Sequence, residues 1–119
     1  MQKTILLVED EEDLRELISN ALVRRGYQVL AASDGHEALG ALSQIEGGPC
    51  LVLLDLLMPG MNGWDFFELF KARPELSGVP VVIHSSAPSP APTGASKVLQ
   101  KTVGLERLLS VVEEFCGVP

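Results

Sequence analysis

The sequence predicts an α/β domain built on a doubly wound, five-stranded parallel sheet with helices on both faces. Three observations carry that expectation. Apolar runs of strand length alternate with stretches whose apolar residues recur at helical spacing, as successive βαβ units require. The runs are apolar at consecutive positions, the pattern of strands covered on both faces. The chain has 119 residues, which at ~150 residues per domain is room for one domain, expected over 1–119.

The first strand is Thr4–Val8 (TILLV). Leu14, Leu17, Ile18, Ala21 and Leu22 then fall at i, i+3, i+4, i+7 and i+8, one stripe of a helix that Gly26 stops. Residues 27–32 (YQVLAA) form the second strand. Asp34 followed by Glu37 reads as a capping box, opening a helix with Ala38, Ala41, Leu42 and Ile45 facing inward. Gly47, Gly48 and Pro49 end it before the third strand, 50–54. A loop over 58–63 leads to a third helix, 64–72. There Trp64, Phe66, Phe67 and Phe70 sit at mixed spacing, so part of the set is expected in the core and one or two rings at the surface. Residues 79–85 (VPVVIHS) read as the fourth strand and 98–100 as a short fifth. Leu105, Leu108, Leu109, Val112 and Phe115 stripe the last helix. Between strands four and five runs APSPAPTG, with prolines at 88, 90 and 92. Missing amide donors and restricted preceding residues rule a helix out of that segment.

Composition narrows the function. Apolar residues at 46% and charged residues at 21% describe a folded chain rather than a disordered one. Nine Lys and Arg against sixteen Asp and Glu leave a net charge of −7, which excludes a general nucleic-acid or anionic-membrane binder. The longest apolar stretch, 50–59, is broken by Asp55 and far too short for a membrane span. The start of the chain has no secretory leader pattern, so a cytoplasmic location is expected. Cys50 and Cys116 lie among apolar neighbours without a CxxC spacing. Buried reduced thiols are expected there rather than a disulfide or a metal site.

Open parallel sheets bind ligands at the carboxyl ends of their strands. Strand one delivers Glu9, Asp10 and Glu11 there, strand three Asp55, strand four Ser85 and Ser86, and strand five Lys101. Crowded carboxylates repel, and a hard divalent cation such as Mg2+ offsets them. With Lys101 as a fixed positive charge and Ser86 as a hydroxyl donor, Asp55 is placed to attack a phosphoryl group. His36 reads as an exposed helix residue and His84 as packed within strand four. Neither is expected to relay phosphate.

These residues carry a resemblance. ILLVED at 5–10, AASDGHEAL at 31–39, VLLDLLMPGMNG at 52–63, RPELSGVPVVI at 73–83 and Ser86-Ala87 resemble the receiver domain of bacterial two-component response regulators. The most specific piece is D-x-x-M-P-x-x-x-G beginning at Asp55. The resemblance implies a flavodoxin-like sheet of order 2-1-3-4-5. By position it implies Asp55 as phosphoacceptor and Asp10, with Glu9 possibly acting through water, as Mg2+ ligands. It also implies the Leu57 backbone carbonyl as a further ligand, Ser86 as the switch hydroxyl and Lys101 as the phosphoryl-pairing lysine. The implied partner is a histidine kinase or histidine phosphotransfer protein, and the implied chemistry is autocatalytic phosphotransfer rather than an enzyme's turnover.

Four positions depart from that pattern. Lys101 follows Ser86 by only fifteen positions, filled by the proline run, so the family's fourth helix is expected to be shortened or replaced by a loop. Val98 stands where the family usually has an aromatic, and Thr102 where it usually has proline. Leu57 and Pro88 offer no amide or acid to orient a hydrolytic water, so self-dephosphorylation is expected to be slow. The leading expectation is a stand-alone receiver that accepts phosphate yet does not signal through the usual helix-four surface. The alternative is a pseudo-receiver acting as a phosphorylation-independent interaction module. A phosphatase of the haloacid dehalogenase type would need an acid where Leu57 stands. A flavin or nucleotide site would need a glycine-rich phosphate loop instead of Glu9-Asp10-Glu11-Glu12.

Overall fold

Alternation inside each apolar run decides which face of the sheet a side chain serves. The computed structural model describes residues 3–86 and 90–119. Its strands are β1 (Thr4–Val8), β2 (Gln28–Ala32), β3 (Leu51–Leu54), β4 (Val81–Ser85) and β5 (Lys97–Gln100). They form one parallel sheet of order β2-β1-β3-β4-β5. On one face Leu6, Val8, Val52, Leu54, Val81 and Ile83 pack beneath α2 (Gly35–Leu42) and α3 (Gly63–Lys71). On the other, Ile5, Leu7, Leu51, Leu53 and Val82 meet α1 (Glu12–Arg24) and α4 (Leu105–Cys116). The four helices thus divide two and two, as right-handed crossovers dictate.

Local chemistry sets the element ends. The Asp34 carboxylate accepts from the Glu37 amide at 2.8 Å, and Glu37 takes the Ser33 hydroxyl in turn. Asn62 caps α3 by accepting from the Asp65 amide at 2.9 Å. β4 begins at Val81, two residues later than expected. Pro80 has no N–H to give, although its carbonyl still accepts from Val52 at 3.0 Å. A short 3-10 turn, Pro74–Leu76, was not expected, and Pro74 opens it. Phe66, Phe67 and Phe70 are all buried, and Trp64 packs half-buried against the same core.

No helix occurs between β4 and β5 among the described residues. Ala91 and Ala95 pack on the α2–α3 face there, and the Trp64 indole donates to the Pro90 carbonyl at 3.3 Å. The described part of the proline segment, from Pro90 to Ala95, therefore leans on α3. Pro88 lies outside the described residues. Val98 on β5 is 55% exposed.

The cysteines correct the sequence reading. Cys50 and Cys116 are a disulfide, with Cα atoms 5.6 Å apart across a sequence separation of 66. Apolar neighbours describe buried thiols and bonded ones alike. Only the fold brings the start of β3 beside the end of α4.

Gly63 is required by close approach rather than by an unusual backbone angle. A Cβ there would collide with the Asp55 carbonyl and fall 2.6 Å from Leu56 Cα. Gly40, within α2, has nothing within 4 Å of a built Cβ. Gly63→Ala is expected to destabilise by about 2 kcal/mol or more, and Gly40→Ala to stabilise by up to ~1 kcal/mol. Urea unfolding midpoints check both. Equal effects would contradict this account of the α3 start.

Candidate functional site

Register places the charges. Val8 pairs with Leu54, and Leu54 with Ile83, so the residues that follow these strands meet at one rim. Glu9 and Asp55 emerge there 1% and 2% exposed, while Asp10 is exposed. Glu9, Asp10 and Asp55 each offer an oxygen within 4.8 Å of the others. Lys101, from beyond β5, reaches in between. Its Nζ lies 2.9 Å from Asp55 Oδ2 and 3.0 Å from Glu9 Oε2.

Hydrogen bonds hold these groups in place. The Leu57 amide donates to Asp55 Oδ1 at 3.2 Å, and Oδ2 faces the Lys101 ammonium. The Glu11 amide donates to Glu9 Oε2 at 3.0 Å, and Arg15 donates to the Glu9 carbonyl at 3.0 Å. An open cleft of about 310 Å³ adjoins the rim, lined in part by Asp10, Leu57, Asn62 and Trp64. A larger groove of about 760 Å³ follows β2, between Val23 and Ile45, and includes none of these rim residues.

The hydroxyls sort differently from expectation. Ser85 is buried at the end of β4, and its Oγ accepts from the Leu56 amide at 3.4 Å. Ser86, the residue expected at the site, is exposed one position further on. Strand parity was the signal that could have separated them. Ser85 lies two residues beyond Ile83 and so shares its face of the sheet.

Three carboxylates and one ammonium leave a local charge of −2. Burial pushes the Glu9 carboxyl up to about 7, against the lowering effect of the Glu11 amide and Lys101, and Asp55 adds to the rise. Burial pulls the Lys101 ammonium down, but bonds to Asp55 and Glu9 outweigh it and its pKa is raised. Burial, and then Lys101, lower that of His84, which sits in β4 as expected. An all-oxygen cluster with excess negative charge fits a hard divalent cation such as Mg2+.

A pH dependence follows. Folding lifts Glu9 from 4.5 to about 7, so the folded state binds the extra proton between those values. Stability therefore rises as pH falls through 7. In chelator, lowering pH from 8 to 6.5 is expected to stabilise wild type relative to Glu9→Gln by roughly 0.5–1 kcal/mol. The opposing loss from His84, whose pKa folding lowers from 6.5, begins within this window but is common to both proteins, so the difference between their profiles reports Glu9. Parallel unfolding profiles for the two proteins would contradict the assignment.

Comparisons with known proteins identify the family. The family described as response regulator receiver domain matches residues 5–113. The chain is 40% identical over 83 residues to the DNA-binding response regulator MtrA of Mycolicibacterium smegmatis, which covers 70% of this chain and 34% of that protein. It thus spans about a third of that relative's length. The structure of the chemotaxis protein CheY4 of Vibrio cholerae superposes with a TM-score of 0.86 at 26% identity, covering 97% of this chain and 99% of that one. The phosphorylated cyanobacterial phytochrome response regulator RcpA gives 0.80 at 29% identity, covering 97% and 94%. From the first residues of β1 to the last turns of α4, the chain belongs to the response regulator receiver domain family.

Proposed function

We propose that residues 1–119 act as one receiver that accepts a phosphoryl group on Asp55 from the phosphohistidine of a histidine kinase or histidine phosphotransfer protein. The observation that carries this reading is the buried Asp55 carboxylate, ion-paired to Lys101 at 2.9 Å within a three-carboxylate rim. An Asp55 oxygen attacks phosphorus, and the bond to the donor imidazole breaks as the new O–P bond forms. The Leu57 amide orients the carboxylate through Oδ1. Lys101 then turns from Asp55 to the phosphoryl oxygens, keeping its charge where negative charge accumulates.

Asp10, Asp55, the Leu57 carbonyl and Glu9 through water would hold Mg2+. When bound, the cation supplies charge neutralisation of the phosphoryl oxygens. For the hydroxyl we assign Ser85 rather than Ser86, because Ser85 is the one within reach of the residue after Asp55. The setting is cytoplasmic, and the net charge of −7 points to protein rather than nucleic-acid partners. The exposed Val98 and a β4–β5 connection without a helix among its described residues favour output by a surface other than the family's usual one. The same two features favour a second reading, a pseudo-receiver that binds a partner without phosphorylation.

Intact-protein mass after incubation with a small acyl phosphate and Mg2+ separates the two. One phosphoryl adduct is expected. It should be absent from Asp55→Asn and from chelated wild type, weakened by Ser85→Ala and spared by Ser86→Ala. The adduct should decay slowly, since Leu57 offers no group to orient water. No adduct on folded wild-type protein would overturn the receiver reading and support the pseudo-receiver.

A further inference from the structure

The end of the sheet opposite Asp55 carries a second constellation, at the point where α4 finishes. Cys116 is the last residue of α4 and Cys50 directly precedes β3, and their sulfurs are bonded. Around that bond, the Tyr27 hydroxyl donates to the Gly117 carbonyl at 2.6 Å. The Lys3 ammonium donates to the carbonyls of Cys116 at 2.5 Å and Val118 at 3.2 Å. The whole length of β3 separates Cys50 from Asp55, a span of roughly 17 Å at ~3.3 Å per residue. The attachments of the α4 end therefore lie away from the acidic rim.

We propose that Cys50–Cys116 is a reversible dithiol–disulfide site that fixes the C-terminal turn of α4 when oxidised and frees it when reduced. Cys116 is 7% exposed and Cys50 half-buried, so an incoming thiol meets Cys50 first. A glutathione-class thiolate attacks the Cys50 sulfur, the S–S bond breaks, and Cys116 leaves as a thiolate that takes a proton. A second thiolate attacks the small-molecule sulfur of the mixed disulfide and releases Cys50 as a thiolate, which is protonated. Two small thiols are thereby oxidised to a disulfide while the protein disulfide is reduced to two thiols. The reverse exchange uses a small disulfide as oxidant.

Release is confined to the helix end. Leu108, Leu109, Val111 and Val112 are buried against the sheet and keep the body of α4 docked without the bond. Beyond them the last turn is held by hydrogen bonds from Tyr27 and Lys3, by the packing of Phe115 and by the Lys97–Glu114 ion pair at 3.6 Å, a lighter hold than that on the helix body. In the cytoplasmic setting proposed above, where small thiols are abundant, a disulfide is expected to cycle rather than persist.

The test equilibrates the whole chain in glutathione buffers of stepped ratio, counts free thiols by alkylation and intact mass, and follows amide hydrogen exchange in both end states. One transition from zero to two alkyl labels is expected. In the reduced state residues 113–119 should exchange at least about tenfold faster, while β1 and β3 keep their protection. Cys50→Ser and Cys116→Ser should match the reduced wild type. Two labels even in fully oxidised buffer, unchanged exchange at the α4 end, or lost protection throughout the sheet would each overturn the proposal.

Discussion

The Lys101 ammonium, held 2.9 Å from Asp55 and 3.0 Å from Glu9, is the interaction on which the rest of the site depends. At ~3 Å and an effective dielectric near 20, each such pair attracts by roughly 5 kcal/mol before desolvation is charged against it. Like charges within 4.8 Å repel by a comparable amount. Taking a carboxylate out of water costs several kcal/mol more. One ammonium therefore makes the cluster tolerable without neutralising it. The rise of Glu9 to about 7 comes first from burial, with repulsion from Asp55 adding to it, and a divalent cation or a change of charge at Asp55 relieves the repulsion.

The fold confines this imbalance to one place. Both faces of the sheet are apolar and covered by helices, so polar groups can gather only at the strand ends. The crevice forms at the rim where β1 and β3 lead to opposite halves of the sheet. The family's chemistry needs only this rim. Its usual output needs the elements beside β4 and β5, and there the chain differs. Pro90 rests on Trp64 in the stretch where the family has a helix, and Val98 stands exposed where it has an aromatic.

Much of this was legible in the sequence because the relevant signals are local. TILLV could only be a covered strand, Asp34 and Glu37 announced the start of α2, and an aspartate inside an apolar run had to end a strand. The missing signals were those decided by neighbours in space. Two adjacent serines look alike until strand parity turns one inward. A cysteine pair 66 residues apart shows its bond only once β3 and α4 are packed together. The late start of β4 needed the knowledge that the amide missing from Pro80 would fall within a ladder.

Urea unfolding of wild type and Asp55→Asn, each in chelator and in Mg2+, tests the central claim most directly. If excess negative charge dominates the rim, Asp55→Asn is more stable than wild type in chelator. Mg2+ then raises the midpoint of wild type while leaving the variant's nearly unchanged. A variant less stable than wild type in chelator would show that the attraction between Lys101 and Asp55 outweighs the crowding, and would contradict the account.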